Sequence, residues 1–69
     1  MKPVSGRDFA KILEKNGWVL RRVHGSHHIY DKERISVRIS VPIHGNKLLK
    51  AGLQGHLAKL AGLKAEDFN

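Results

Sequence analysis

The sequence ISVRISV at residues 35–41 alternates strictly between apolar and polar side chains. Because successive side chains of a strand point to opposite faces, this pattern predicts a β-strand with one buried and one wet face. Pro42 follows directly and should end the strand, since proline has no N–H to donate to a neighbour. We therefore expect a sheet with an apolar face and an open face that carries Ser36, Arg38 and Ser40.

Two shorter β-rich segments precede this strand. Residues 18–23 predict a first strand, and Gly25-Ser26 predicts the tip of a hairpin. Residues 27–30 then form the returning strand, and the polar residues 31–34 form a turn that leads into the third strand. These segments predict a three-stranded antiparallel sheet.

A helix is expected before the strands, over residues 5–16. Ser5 and Asp8 have the spacing of a capping box, in which the serine hydroxyl accepts from the amide three residues later. Asn16 and Gly17 tolerate the left-handed conformation that ends helices. These signals define both ends of the first helix.

A second helix is expected after a loop around residues 44–46. Its apolar stripe should consist of four leucines, and another side should be polar: Leu49, Leu53, Leu57 and Leu60 against Lys47, Lys50 and Gln54. Gly62 is the expected C-cap. Gly55 costs about 1 kcal/mol relative to alanine inside a helix, so we expect another backbone to approach it closely.

The element order α-β-β-β-α predicts an α+β fold. Three strands cannot bury an apolar face alone, so both helices should cover the same face of the sheet. This is the arrangement of the double-stranded-RNA-binding-domain-like fold, here expected as a single domain over residues 1–69 without linker or repeat. The fold by itself does not determine the function.

Charge is the main functional indication in the composition. Lysine and arginine number 13 against six acidic residues, which gives a formal net charge of +7. Such an excess on a small domain attracts polyanions. It therefore favours a nucleic acid or an acidic protein as partner.

Several classes of protein are disfavoured. The chain has no cysteine, so it can form neither disulfides nor thiolate metal sites. No apolar stretch approaches the roughly 18 residues of a membrane span, and no signal-peptide pattern is present, so we expect no membrane association and a cytoplasmic location. The spacing His24-x-x-His27-His28 lacks cysteine or carboxylate partners, so we expect neither a metal nor another cofactor.

Three segments carry motifs in a fixed order. They are Gly17-Trp18 with Arg22 and Gly25-Ser26-His27-His28-Ile29-Tyr30, then Val41-Pro42-Ile43-His44, then Lys50-Ala51-Gly52 with Leu60-Ala61-Gly62-Leu63. In the order and spacing of these motifs, the chain resembles over residues 5–63 the HicA (YcfA-like) family of toxin ribonucleases. The chain departs from the commonest pattern after Gly52, where the family often has Thr-Leu and this sequence has Leu53-Gln54.

The resemblance implies a specific activity. Members of the family are metal-independent mRNA endoribonucleases of type II toxin–antitoxin systems, and a HicB-type antitoxin holds each of them inactive. The histidine of the family's Gly-Ser-His motif is essential for activity, and in this sequence it falls on His27. The expected partners are therefore mRNA and a HicB-type antitoxin.

Elementary chemistry agrees with a histidine in this role. RNA scission needs a group that removes the proton of the 2′-hydroxyl, and imidazole suits this because its ordinary pKa is about 6.5. Scission also needs cationic or hydrogen-bonding groups where charge builds on the phosphate. The candidate RNA-binding residues are Arg22, Ser26, His28, Arg38 and Lys47. His24, His28 and His44 remain alternatives for a second proton-transfer group.

Strand parity leaves two arrangements open. His27 shares a face with Ile29, and His28 shares the other face with Tyr30. We expect Tyr30 in the core, which places His27 on the open face and leaves Ile29 partly exposed. If the histidine is not catalytic, the alternative function is a non-catalytic RNA-binding module on the same fold, and a pure protein-interaction role is third.

Overall fold

The computed structural model describes all of residues 1–69 and confirms the predicted α-β-β-β-α order. The elements are α1 (Gly6–Lys15), β1 (Val19–His24), β2 (His27–Lys32), β3 (Ile35–Pro42) and α2 (Ala51–Ala61), followed by a 3₁₀ helix at Ala65–Phe68. The 3₁₀ helix was not predicted. Neither α-helix has the length and apolar character that crossing a membrane requires.

The three strands form one antiparallel sheet in the order β1-β2-β3, so β2 is the central strand. A two-residue turn at Gly25 and Ser26 joins β1 to β2, and Gly25 adopts the left-handed conformation with φ of 62°. β2 extends to Lys32, so the second turn is shorter than predicted. Its residue Arg34 also has a positive φ, of 68°.

The buried face of the sheet has the expected parity. Tyr30 is 2% exposed and pairs with the fully buried Ile39 across the β2–β3 ladder. His27 is exposed and Ile29 is half-buried on the other face. The prediction that Tyr30 lies in the core and His27 on the open face is therefore confirmed.

Helix α1 begins and ends within one residue of its predicted bounds. Ser5 is the N-cap, and its hydroxyl accepts a hydrogen bond of 3.1 Å from the amide of Asp8. Asn16 is the C-cap. Phe9 and Leu13 lie one turn apart and are fully buried, so α1 packs its apolar stripe on the sheet.

Helix α2 begins at Ala51, later than the leucine stripe predicted. Leu48 and Leu49 instead run antiparallel to the N-terminal segment, and the amide of Leu49 donates to the carbonyl of Val4 over 2.9 Å. The buried face of α2 is consequently formed by Gln54, Leu57 and Ala58. The predicted placement of Leu60 in the core and of Gln54 on a polar side was wrong: Leu60 is 41% exposed and Gln54 is 3% exposed.

The predicted close approach at Gly55 is also wrong. A Cβ atom there would lie 4.0 Å from Cε of Met1 and would meet no backbone atom. The close approach occurs at Gly6, where a Cβ would collide with the carbonyl group of Pro42. Gly62 caps α2 with a φ of 70°, as predicted.

Both helices cover the same face of the sheet and share one core. It consists of Val4, Phe9, Ala10, Leu13, Trp18, Tyr30, Ile39, Val41, Leu49, Leu57, Ala58 and Phe68. The 3₁₀ helix contributes Phe68, whose ring centroid lies 5.8 Å from that of Phe9. The opposite face of the sheet has no cover within the chain, which leaves its polar side chains accessible.

Candidate active site

His27 is the first residue of the central strand and lies directly after the hairpin turn. Its Cα pairs with that of His24 on β1 and with that of Pro42 on β3. The backbone of His27 is therefore held from both sides, while its side chain is exposed on the open face. This is a position at which an extended ligand can reach the imidazole.

The imidazole of His27 has one hydrogen-bond partner. Its Nδ1 lies 3.3 Å from the hydroxyl oxygen of Ser40. Ser40 pairs with Ile29, which places it on β3 diagonally from His27 and on the same face. The sequence pattern predicts Ser40 on the open face but does not identify it as a site residue, because the register between β2 and β3 cannot be read from the sequence.

A shallow depression of about 490 Å³ lies beside this pair on the open face. Its lining residues are Arg21, Arg22, Ile29, Asp31, Arg38 and Ser40. Arg22 and Arg38 were both predicted to bind RNA, and the structure brings them to this one depression. The half-buried Ile29 is the one hydrophobic residue in this lining, in agreement with the prediction that it is partly exposed on the open face.

Strand β1 contributes two consecutive arginines to the depression. The β1–β2 register shifts between Leu20 and Arg22, so Arg21 is an extra residue in the ladder. Strict alternation would have sent one of the two arginines to the other face. The bulge therefore raises the positive charge of the open face above what the sequence pattern predicts.

The three arginines that line the depression differ in whether a carboxylate already neutralises them. Nε of Arg21 lies 2.6 Å from Oδ1 of Asp31, so this arginine is paired. Arg22 and Arg38 form no ion pair with any carboxylate. The sequence predicts Asp31 in a turn, whereas it is a β2 residue on the open face. The two guanidinium groups without a carboxylate partner are therefore the ones whose charge is not already neutralised.

Three predicted RNA-binding residues lie outside this depression. His28 pairs with the buried Val41 and lines a depression on the helix side of the sheet. Lys47 lies in the loop after β3, in another depression next to Pro42. Ser26 is half-buried in the hairpin turn, and its carbonyl accepts a hydrogen bond of 2.8 Å from the amide of Ile43. The structure thus groups Arg22 and Arg38 in one depression, to which His27 is linked through Ser40, and it separates His28 from them.

The three histidines proposed for a second proton transfer also differ in position. His24 pairs directly with His27 across the ladder, and directly paired residues project to the same face. His44 is exposed in the loop that follows β3. His28 lies on the opposite face. His24 is therefore the one that adjoins His27 across the sheet.

Behind the site, Tyr30 joins the central strand to α1. Its hydroxyl donates a hydrogen bond of 3.1 Å to Oε2 of Glu14. Burial raises the pKa of Tyr30 to about 12, and the hydrogen bond with Glu14 and the charge of Glu14 act in the same direction. Through this hydrogen bond the hydroxyl helps to hold β2 against the helix.

Comparison with known proteins agrees with the motifs in the sequence. A family model described as the HicA toxin of bacterial toxin–antitoxin systems matches residues 6–63, from the first residue of α1 to just beyond α2. No curated protein shows significant similarity to the chain. Because the match spans most of the 69 residues and includes all three strands and both α-helices, the chain belongs to the HicA family of bacterial toxins.

Proposed function

We propose that this toxin is a metal-independent endoribonuclease that cleaves mRNA, with His27 as the catalytic residue. The observation that carries the proposal is an exposed imidazole on the central strand, on the same face of the sheet as two arginines that have no carboxylate partner. Membership of the HicA family supports a toxin role, and a net charge of +7 suits a polyanionic substrate.

The proposed reaction uses the RNA's own 2′-hydroxyl as nucleophile. His27 removes its proton through Nε2, which has no hydrogen-bond partner within the chain. The 2′-oxygen then bonds to the adjacent phosphorus while the bond from phosphorus to the 5′-oxygen breaks. This yields a cyclic phosphate and a free 5′-hydroxyl. Arg22 and Arg38 stabilise the charge that develops on the phosphate oxygens.

The leaving 5′-oxygen must gain a proton, and we propose His24 as its donor. The direct pairing of His24 with His27 supports this role, because both imidazoles then border the same stretch of RNA backbone. Ser26 and Lys47 lie at the same end of the sheet and are proposed to contact flanking nucleotides. His28 would contact only RNA that wraps around to the helix side.

The decisive experiment measures cleavage of single-stranded RNA by purified protein in EDTA. We expect the wild type to cut, and we expect His27→Ala to abolish cutting while circular dichroism shows the same fold. His56→Ala is the matched control, because His56 is an exposed histidine on α2, outside the proposed site. Equal cutting by His27→Ala would remove this residue from the mechanism, and loss of cutting in EDTA would contradict metal independence.

Wild-type protein that binds RNA without cutting it would favour the second candidate function, a non-catalytic RNA-binding module. The free guanidinium groups of Arg22 and Arg38 support that function as well as the catalytic one. If the protein does not bind RNA even at low salt, a pure protein-interaction role gains support.

We further propose that a HicB-type antitoxin neutralises this chain by covering the open face of the sheet. That face has no cover within the chain and is cationic, so an acidic partner surface would complement it. We expect expression of the chain alone to arrest growth and His27→Ala to relieve the arrest. Reversal of the charge at Arg38 by Arg38→Glu should weaken co-purification of the antitoxin, and an unaffected complex would place the interface elsewhere.

A further inference from the structure

We infer that Ser40 is a positioning residue for His27, an inference that rests on the proposed ribonuclease function. The Ser40 hydroxyl oxygen lies 3.3 Å from Nδ1 of His27 and is the one hydrogen-bond partner of the ring. The ring is otherwise exposed. An exposed imidazole without this contact would be free to adopt several rotamers, few of which suit proton abstraction.

The position of Ser40 is set by its neighbours along β3. Ile39 and Val41 on either side are fully buried, so they fix the backbone between them and direct Ser40 to the open face. Ser40 also pairs with Ile29 on the central strand. A serine on such a rigid strand can hold a partner ring with little loss of its own conformational entropy.

We take the Ser40 hydroxyl as the acceptor in this contact, which makes Nε2 the base. A neutral imidazole carries one proton, and the hydrogen bond at one nitrogen selects the tautomer. Donation from the Nδ1–H of His27 to Ser40 leaves a lone pair on Nε2, directed to the substrate. When Nε2 takes the proton of the 2′-hydroxyl, Nδ1 remains a donor, so the serine oxygen also stabilises the imidazolium that forms.

Strand β3 supplies a matched control for this role. Ser36 is exposed on the same strand, four residues before Ser40, and so projects from the same face. It makes no hydrogen bond to His27. Replacement of Ser36 therefore reproduces the loss of an exposed serine hydroxyl from the open face without loss of the contact with the ring.

The kinetic test compares Ser40→Ala, Ser40→Thr and Ser36→Ala on a single-stranded RNA substrate. We expect Ser40→Ala to lower kcat about five- to tenfold, as loss of one hydrogen bond implies, with KM changed less than about twofold. Ser40→Thr keeps a hydroxyl and should restore most of the rate, and Ser36→Ala should match the wild type. A wild-type kcat in Ser40→Ala would overturn the inference.

A second readout does not depend on cleavage. The ¹⁵N chemical shifts of the His27 ring report its tautomer, and we expect the Nδ1-protonated form to dominate in the wild type and in Ser36→Ala. Ser40→Ala should shift the ring towards the other tautomer. If the wild type fails to cut RNA, the proposed function fails, while these shifts still decide whether Ser40 orients the ring. Identical shifts in Ser40→Ala and the wild type would contradict the positioning role.

Discussion

The hydroxyl of Tyr30 donates a hydrogen bond to Glu14 across 3.1 Å, which connects the central strand to α1 on the side opposite His27. Burial and the adjacent carboxylate raise the pKa of Tyr30 to about 12. An unfolded tyrosine titrates near pH 10, so between about pH 10 and 12 the folded protein holds a proton that the unfolded chain has released. Stability from this source is complete below pH 10 and is lost as the pH rises towards 12.

We therefore predict that the free energy of unfolding falls as the pH is raised from about 9 to about 12, and that Tyr30→Phe reduces this fall. Urea unfolding of both proteins across that range provides the measurement. Because the two proteins differ only at residue 30, the difference between the two curves isolates Tyr30. Parallel curves would show that Tyr30 does not contribute.

A second prediction concerns the amide of Gln54, which is buried although it is polar. Its Oε1 accepts a hydrogen bond of 3.1 Å from the Val4 amide, and its Nε2 donates to the Lys2 carbonyl over 2.7 Å. Gln54→Leu should lower the free energy of unfolding by about 1–3 kcal/mol, because it leaves the buried Val4 amide without an acceptor. Leu60→Gln, at an exposed position on the same helix, should change it by less than about 0.5 kcal/mol. A neutral or stabilising Gln54→Leu would mean that these bonds contribute little.

The third prediction concerns Gly6, which contacts the carbonyl of Pro42. Gly6→Ala introduces a methyl group where no space exists, and we expect a loss of about 1–3 kcal/mol in thermal or urea unfolding. Gly52→Ala is the matched control, because a Cβ at that position in α2 meets no atom within 4 Å. It should stabilise the protein by up to about 1 kcal/mol, since alanine has the higher helix propensity. Equal effects of the two changes would contradict the packing argument.

RNA binding should depend on Arg38. In a His27→Ala background, in which the proposed mechanism leaves the RNA uncut, Arg38→Ala should weaken binding and reduce the slope of log K against log salt by about 0.7, the loss of one phosphate contact to a single strand. Arg7→Ala is the control, because Arg7 lies on α1 at the helix side of the sheet. Fluorescence anisotropy at several salt concentrations measures both slopes, and an equal reduction in the two variants would indicate unspecific attraction.

The opposite change is expected at Asp31. Asp31→Asn removes the partner of Arg21 and frees a guanidinium group on the open face. Binding of RNA should therefore strengthen and its salt dependence steepen, in the same assay and background. Stability should change by less than about 1 kcal/mol, because the ion pair is exposed. Unchanged binding would show that Arg21 does not reach the RNA.

The sequence allowed the fold to be predicted where the signals were local. The alternation over residues 35–41 established which side of β3 carries the buried Ile39 and Val41, although Ile35 at the start of the strand is 42% exposed. The cap at Ser5 established where α1 begins. The start of α2 could not be predicted in this way. Leucines at helical spacing suggested a longer helix, but Leu48 and Leu49 are held in an extended segment by pairing with the distant N-terminal residues.

The sequence likewise predicted some features of the candidate site and not others. The motif around His27 and the parity of Tyr30 placed the imidazole on the open face. The contact with Ser40 depends on the register of β2 against β3, and the second arginine on that face depends on a bulge in β1. Neither feature has a signature in the residues involved, because both arise from pairing between strands.

The location of His27 on the central strand has a consequence for control of the toxin. The backbone of a residue paired on both sides cannot be displaced without breaking two ladders, so under the proposed function a neutralising partner would cover His27 rather than unfold the strand that carries it. The bound toxin then keeps the backbone geometry of its folded state for as long as the partner covers it. Loss of the partner by any route should release activity at once, at a rate set by dissociation alone and without a refolding delay.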